Sequence, residues 1–432
     1  MDEEFHHPQT AELCDALAHA RAPRYHDKIT TPPGLYVVSL VATLGAACWS
    51  LAAARAVSAA SLAGVAAAVA SLVEVRREQE LELEARQRHR EQPHAEQPHA
   101  EQEHHERLTH TPLLVTTFPP LLFISGLYYT DAVSLLALLW GWRAAASSAR
   151  LSAAALLLIS LTLRQSNVVW VAFIAGSVAL RRLRQDLPRT LQDYVSAVLT
   201  HRRELALDLL LPCALILSLL GSDLGALGDK EHHRISLHLA QICYLSVALF
   251  AGTGIAAAVA LSPREWLAAA ANLAPLPAVL ALLASLAEFA RSYTITHPFL
   301  LADNRHYTFY LWSRVIRRHE HGRLALVPGY WLSALGVLCA CSRAVRARTT
   351  SKLELLGFSV CAAASVVPLP LVEPRYFFPA VAVFTVLVAG AVPPRAAWAT
   401  VHLNSAVFVG LAFVFLFRPF SREDGIVGRF MP

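Results

Sequence analysis

Long apolar stretches alternate with short polar ones along most of the chain. The apolar runs fall at about 34–54, 56–73, 112–126, 131–142, 151–180, 205–220, 236–261, 266–289, 325–341, 353–372, 376–392 and 398–417. A helix needs ~20 apolar residues to cross the ~30 Å hydrocarbon layer of a bilayer. The pattern therefore predicts an all-α, polytopic transmembrane helical bundle with ~10–12 crossings. The run 151–180 is broken by Arg164-Gln165-Ser166-Asn167. It reads as two partial spans or as one span with a polar notch. The runs 34–54 and 56–73 are alanine-rich, and one of them is expected to lie re-entrant or interfacial. No segment repeats with a period of 20–50 residues.

The polar stretches divide the chain further. Residues 1–33 are polar and contain no apolar run, so no cleavable signal peptide is expected there. Residues 34–73 form the first membrane segment. Residues 74–111 start as Glu74-Val75-Arg76-Arg77-Glu78 and include two copies of Glu-Gln-Pro-His-Ala, at 91–95 and 96–100. With almost no large apolar side chains this insert cannot bury enough surface to offset the entropy of ordering. A charged helix is expected in its first half and disorder in its repeats. Residues 112–420 hold the rest of the bundle, with polar loops near 221–235 and 290–324, and 421–432 form a tail. Arg181-Arg182-Leu183-Arg184, His201-Arg202-Arg203 and the arginines from Arg343 to Arg348 mark the cytoplasmic side. That puts 221–235, 290–324 and 373–375 on the other face. The loop 290–324 breaks the rule with Arg314, Arg317, Arg318 and Arg323. Such charge on that face suits either an anion or a chain in which arginine is simply frequent.

Composition agrees with a membrane bundle. The chain is 55% hydrophobic and only 16% charged, against about a quarter charged in soluble domains. Mean hydropathy is +0.43. The formal charge of +5 reflects basic loops, and no basic face with interleaved aromatics calls for nucleic acid. Of seven cysteines, six lie in or beside apolar runs and only Cys14 in a clearly polar one. A disulfide framework is not expected, and no zinc spacing occurs. The insert's histidines follow the spacing of its repeat and not of a ligand pair.

Ionisable groups beside spans carry the functional signal. Five clusters stand out. Met1-Asp2-Glu3-Glu4-Phe5-His6-His7 sets carboxylates beside imidazoles, as a general base requires, although a frayed acidic terminus looks the same. His26-Asp27-Lys28 leads through Pro32-Pro33-Gly34 into an apolar run, where the prolines fix the path of the chain. Asp131 closes Leu127-Tyr128-Tyr129-Thr130-Asp131 at a span end and reads as a helix N-cap. Arg164 lies amid apolar sequence and needs a counter-charge or an anionic ligand. The fifth cluster, Asp303-Asn304-Arg305-His306, is followed by Tyr307, Phe309, Tyr310 and Trp312. Interfacial belts account for the aromatics but not for the Asp-Asn-Arg-His. Arginine offers a fork that fits phosphate, and aromatic rings stack on sugars. Arg375, in Glu373-Pro374-Arg375-Tyr376, adds a further guanidinium at a span end. Acids and arginines at membrane edges fit one chemistry. A carboxylate deprotonates a sugar hydroxyl while arginines bind the phosphate of a lipid-linked donor and stabilise its departure.

These residues resemble one family closely, the dolichyl-phosphate-glucose-dependent α-1,2-glucosyltransferases that add the last glucose to the lipid-linked oligosaccharide. The resemblance is colinear: MDEEFHHPQ at 1–9, ITTPPGLY at 29–36, LYYTD at 127–131, RQSNVVWV at 164–171, LLADNRHYTFYLW at 300–312, EPRYF at 373–377 and GRFMP at 428–432. A sparser stretch holds Gly228, Asp229, His233, His238, Gln241 and Tyr244. Only the 74–111 insert lies outside it. The resemblance implies a GT-C-like glycosyltransferase of the endoplasmic-reticulum membrane, with 1–33 as its first lumenal loop and the active site on that side. It implies dolichyl-phosphate glucose as donor, the diglucosylated dolichyl-pyrophosphate oligosaccharide as acceptor, membrane lipid as surroundings, and no metal or cofactor. Inversion follows from a β-linked donor and an α product. The implied base is Asp2, with Glu3 second. Asp303, Asn304, Arg305 and His306 are implied at the donor phosphate or sugar, with Arg164 and Arg375 in support. Asp27, Asp131, Asp229 and His233 are acceptor or loop candidates.

Departures accompany the resemblance. Family members carry a membrane helix ahead of the MDE motif, and this sequence begins on the motif. Glu4 stands at a usually apolar position, His26 and Lys28 replace Trp and Pro around Asp27, and Lys230 replaces an arginine. Three other functions are weighed against the terminal glucosyltransferase. One is a GT-C enzyme using another dolichyl-phosphate sugar. A transporter would show two related halves with paired broken helices, whereas no motif here occurs twice. A non-catalytic regulator predicts that Asp2→Asn leaves glycans unchanged.

Overall fold

The computed structural model describes residues 3–26, 29–91, 109–184, 191–220, 235–258, 275–302, 304–319, 321–421 and 427–432, with single positions between 264 and 271. Among these residues the chain is helical apart from one two-stranded antiparallel pair, Phe420–Ser421 with Val427–Gly428. It divides into two compact units. The first comprises Met1–Pro112, Ile124–Lys230 and Arg348–Cys361, and the second Leu113–Phe123, Glu231–Ala347 and Ala362–Pro432.

Among the described residues five helices are long and apolar enough to cross a membrane: Leu51–Arg86, Gln165–Arg184, Leu324–Arg346, Pro374–Ala391 and Pro394–Phe417. Pro119–Ser125 and Thr130–Ala146 together make a sixth, bent by 111°. The remaining expected crossings fall on shorter helices or outside the described residues. Arg150–Leu163 has 14 residues, about 21 Å, too short to span alone. It stops where Arg164 takes an extended backbone. The polar notch expected at 164–167 is thus a helix break, with a single 3₁₀ turn at Gln165–Asn167 before Val168–Arg184.

The two alanine-rich runs are partitioned differently from the sequence expectation. Gly34–Ala42 is a nine-residue helix, about 14 Å long, too short to cross alone. The chain then turns through Leu44 and Gly45, both at positive φ (49° and 89°), a conformation glycine adopts without steric cost. After a 3₁₀ turn at Ala46–Cys48 it runs as one helix of 41 residues, Leu51–Glu91. The charged first half of the 74–111 insert is the end of this helix; the repeats at 92–100 lie outside the described residues. Four helices of the second unit (Leu276–Ser292, Val327–Arg346, Phe378–Val388 and Pro394–Phe417) carry proline in their first turn, where the missing N–H costs nothing.

Each unit has its own core. In the first, Trp142, Trp170, Phe173 and Phe358 meet edge-on or tilted at 5.6–6.2 Å between ring centres. A second cluster gathers Leu35, Tyr36, Tyr128, Val133 and Leu163, with Phe5 and Leu13 packed on it. In the second unit Cys243, Leu286, Ala290, Val327, Tyr330 and Ala334 form one cluster, and the Phe378–Val388 helix is buried on all sides. Gly336 lets the Phe250 ring approach; a Cβ there would stand 2.2 Å from it.

One sequence expectation is corrected here. Cys14 and Cys48 form a disulfide. Cys48 sits in an apolar run and was read as a small hydrophobe, but it lies on the 3₁₀ turn that precedes the long helix, where Cys14 of the N-terminal helix reaches it.

Candidate active site

The N-terminal acids are held on a helix, Glu3–Ala18. Glu3 and Glu4 occupy its first turn, where negative charge complements the helix dipole. Glu3 is buried, at 7% exposure. Its Oε1 accepts Arg55 Nε at 2.7 Å and the Tyr128 backbone N–H at 2.9 Å, and its Oε2 accepts Arg55 Nη2 at 2.6 Å. Burial pushes this carboxyl up. The Arg55 fork, the Tyr128 N–H and the charges of Arg55 and His7 outweigh that, and its pKa ends below the usual carboxylate range.

Beneath Glu3 the motifs interlock. His6 Nδ1 meets the Tyr36 hydroxyl at 2.8 Å. The Tyr128 hydroxyl donates to Ser39 Oγ at 2.9 Å and lies 2.9 Å from Thr10 Oγ1. Both tyrosines are fully buried, and a buried hydroxyl without a partner costs roughly 1–3 kcal/mol, so these contacts fix the helix in place. Gln9 ties the helix to the following loop, giving Nε2–H to Arg24 O and accepting the His26 N–H. Tyr25 donates to Thr31 O, and burial pushes its phenol up to about 12. Gln165 donates to Thr30 O at 2.9 Å. Gly34 passes the Arg150–Leu163 helix so closely that a Cβ would stand 2.4 Å from Thr162 O. Four motifs that are far apart in sequence (3–9, 29–36, 127–131 and 164–167) therefore form one polar cluster in the first unit.

Asp131 and Arg164 form an ion pair in this cluster, with side-chain exposures of 1% and 14%. This corrects the N-cap reading of Asp131. The helix Thr130–Ala146 has Tyr129 at its N-cap position with no side-chain cap, and Asp131 lies one residue inside. Its carboxylate is turned to the Arg164 guanidinium, because a largely buried cation demands a counter-charge. Asn167 braces the same turn, donating to Ser134 Oγ at 2.7 Å and Ser160 O at 3.2 Å.

In the second unit the 304–312 segment pairs with the 427–432 segment. Met431 N–H donates to Arg305 O at 2.8 Å, and Tyr307 N–H donates to Met431 O at 3.1 Å. His306 and Met431 form a parallel bridge. Phe430 packs between Tyr307, Tyr310 and Phe420, at 6.5, 5.7 and 4.7 Å. Asn304, Arg305 and His306 are half-buried there. Arg314 lies over the Tyr310 ring and Arg323 over Trp312. Arg375 is paired with Glu373 and lies over Tyr376. His238 is bonded through both ring nitrogens: Ile295 N–H donates to Nε2, which leaves the proton on Nδ1 for Leu369 O. Gln241 donates to Leu369 O and Leu371 O.

Of the residues singled out in the sequence, Asp2, Asp27, Asp229, His233 and Asp303 lie outside the described residues. Glu3, Asp131 and Arg164 come together in the first unit; Asn304, Arg305, His306 and Arg375 belong to the second. Sequence reasoning missed Arg55, the partner of Glu3. Its signal was present: an arginine inside Leu51-Ala52-Ala53-Ala54-Arg55-Ala56 is as anomalous in an apolar run as Arg164. It also missed Tyr128 as the hub joining Glu3, Thr10 and Ser39.

Comparison with known proteins gives a consistent picture. The DIE2/ALG10 family model matches residues 1–386. A protein of Drosophila melanogaster, named Dol-P-Glc:Glc(2)Man(9)GlcNAc(2)-PP-Dol alpha-1,2-glucosyltransferase, is 32% identical over 78% of this chain and 74% of its own length. Proteins of that name from Arabidopsis thaliana and Rattus norvegicus are each 28% identical. They cover 99% and 87% of this chain, and 93% and 81% of their own. No solved structure matches the chain.

Proposed function

The chain belongs to the DIE2/ALG10 family, and from that premise we propose how its residues carry out the transfer. It is a polytopic membrane hexosyltransferase. It moves glucose from dolichyl-phosphate glucose to the diglucosylated dolichyl-pyrophosphate oligosaccharide and forms the terminal α-1,2-linked glucose. The reaction is a single inverting displacement. A carboxylate takes the proton of the acceptor's 2-hydroxyl, the oxygen attacks C1 of the donor glucose, and the C1–O bond to phosphate breaks. Dolichyl phosphate leaves with the electron pair and needs no proton.

Asp2 is the base. The observation that carries this assignment is the environment of its neighbour. Glu3 has both oxygens occupied and its pKa lowered, whereas a base works best with a pKa near the operating pH. Glu3 is therefore a positioning residue, and the acid that precedes it in the sequence is left for the chemistry. Arg305, within Asp303-Asn304-Arg305-His306, takes the donor phosphate through its fork. The aromatic wall of Tyr307 and Tyr310 suits a sugar face. Arg164 and Arg375 already bind carboxylates, each within its own unit, and are assigned supporting roles. Asp27, Asp229 and His233 are assigned to the loops that receive the acceptor.

The site faces the lumen of the endoplasmic reticulum. The Cys14–Cys48 disulfide supports this, because such bonds persist in oxidising compartments. The arginines that end Val168–Arg184 and Val327–Arg346 support a cytoplasmic opposite face. Microsomes containing the chain, given labelled dolichyl-phosphate glucose and a diglucosylated acceptor, are expected to add a third glucose. Label incorporated only from another dolichyl-phosphate sugar, or unaltered glycans with Asp2→Asn, would sink the assignment.

A further inference from the structure

The long helix Leu51–Glu91 carries two ionic clusters. Arg55 binds Glu3 at one of them. Arg76 lies 21 residues further on, about 32 Å along the helix, close to the ~30 Å thickness of a hydrocarbon layer. The second cluster thus belongs at the opposite membrane surface, away from the chemistry just described. Arg181, in the basic last turn of Val168–Arg184, is part of it.

In this cluster Glu354 and Asp208 are each shared by two guanidiniums. Glu354, 1% exposed, accepts Arg76 at 2.9 Å and lies 3.4 Å from Arg181 Nε. Ser177 and Thr350 also donate to it. Asp208 binds Arg150 at 2.7 Å and Arg182 at 2.8 Å. Glu80 stands 3.7 Å from Arg181, beyond hydrogen-bond reach. Among the described residues, Arg181 Nη1 is buried without a hydrogen-bond partner, on a side chain only 8% exposed. A small open cleft lies beside the cluster, lined by Arg76, Arg86, Arg181, Arg182, Glu82 and Trp142. The guanidiniums 76, 77, 86, 150, 181 and 182 outnumber the carboxylates 80, 82, 208 and 354. Positive charge and one buried donor are left over.

We propose that this cleft binds the phosphate of an anionic phospholipid headgroup at the membrane surface opposite the active site. A phosphodiester anion suits the residual positive charge, and basic pockets between helices at that surface suit such headgroups.

The test uses the full chain purified in detergent, with Tm followed as phosphatidylinositol, phosphatidylcholine or inorganic phosphate is added. Phosphatidylinositol is expected to raise Tm saturably and phosphatidylcholine not. Arg86→Gln and Arg182→Gln should each weaken the apparent affinity about fivefold. Glu82→Gln should tighten it, which a purely structural ion cluster would not do. Arg86 is exposed, so its variant folds even if Arg182→Gln does not. An equal, variant-sensitive shift with inorganic phosphate would support the anion site and assign it to a free phosphate, overturning the lipid source. Equal shifts with both lipids, or shifts unchanged in Arg86→Gln, overturn the site.

Discussion

Replacing Glu3 by glutamine separates positioning from catalysis. The amide keeps the shape of the side chain but removes its charge and one acceptor, and turns an NH₂ group toward the Arg55 fork. Two charge-assisted bonds, at 2.7 and 2.6 Å, and the Tyr128 N–H bond at 2.9 Å are at stake. Removing one member of a fully buried pair costs roughly 3–5 kcal/mol. Arg55 is 43% exposed and regains water, so about 2 kcal/mol is expected here. That loosens the start of the N-terminal helix without unfolding the bundle. In a glucosyl-transfer assay kcat should fall about 10-fold to 100-fold through misplacement, against ~10²–10⁴-fold for Asp2→Asn. The pH dependence gives a second check. The native pKa of Glu3 is lowered, so its contribution to stability is fully present above its unfolded value of about 4.5. It fades only as pH falls through the lower native value. Between pH 5 and 8 Glu3 stays ionised, and Glu3→Gln should scale the rate profile without moving its acid limb. A profile that loses its acid limb in Glu3→Gln, together with near-normal turnover in Asp2→Asn, would refute the reasoning and make Glu3 the base.

Further outcomes follow from other contacts. Denatured protein should accept two more maleimides after reduction than before, owing to Cys14–Cys48. Closing a loop of 34 residues is worth about 3–4 kcal/mol, so Cys14→Ser should lower Tm. Asp131→Asn strands the largely buried Arg164 at about 3 kcal/mol, seen as a lower Tm and lower transfer rate; wild-type stability would argue against the pair. Gly34→Ala drives a methyl to 2.4 Å from Thr162 O and should cost about 1–3 kcal/mol, measured as reduced Tm in detergent.

The membrane bundle was legible from hydropathy, and each polar motif was legible as an anomaly beside a span. How the motifs meet was not. Tyr128 lies 118 residues from Thr10 and 125 from Glu3, and no local pattern encodes such pairings. Arg55 and Glu354 escaped notice for one reason. Each is a single charge in an apolar run, and runs were judged by average hydropathy, which a lone charge barely changes. Arg76 was hidden the other way, inside a segment so charged that it read as an insert. Cys48 looked like any small apolar residue until the turn at Leu44 and Gly45 brought it beside Cys14. The N-cap reading of Asp131 failed because local capping competed with a buried arginine 33 residues away.

The 41-residue helix has a practical consequence for imaging. From Arg76 it continues to Glu91, about 22 Å at 1.5 Å per residue. Small membrane proteins are hard to align in electron microscopy because detergent hides their features. A rigid domain spliced in place of 92–107 would ride on a stalk that already packs into the bundle at Arg76 and Glu80. It would serve as a fiducial.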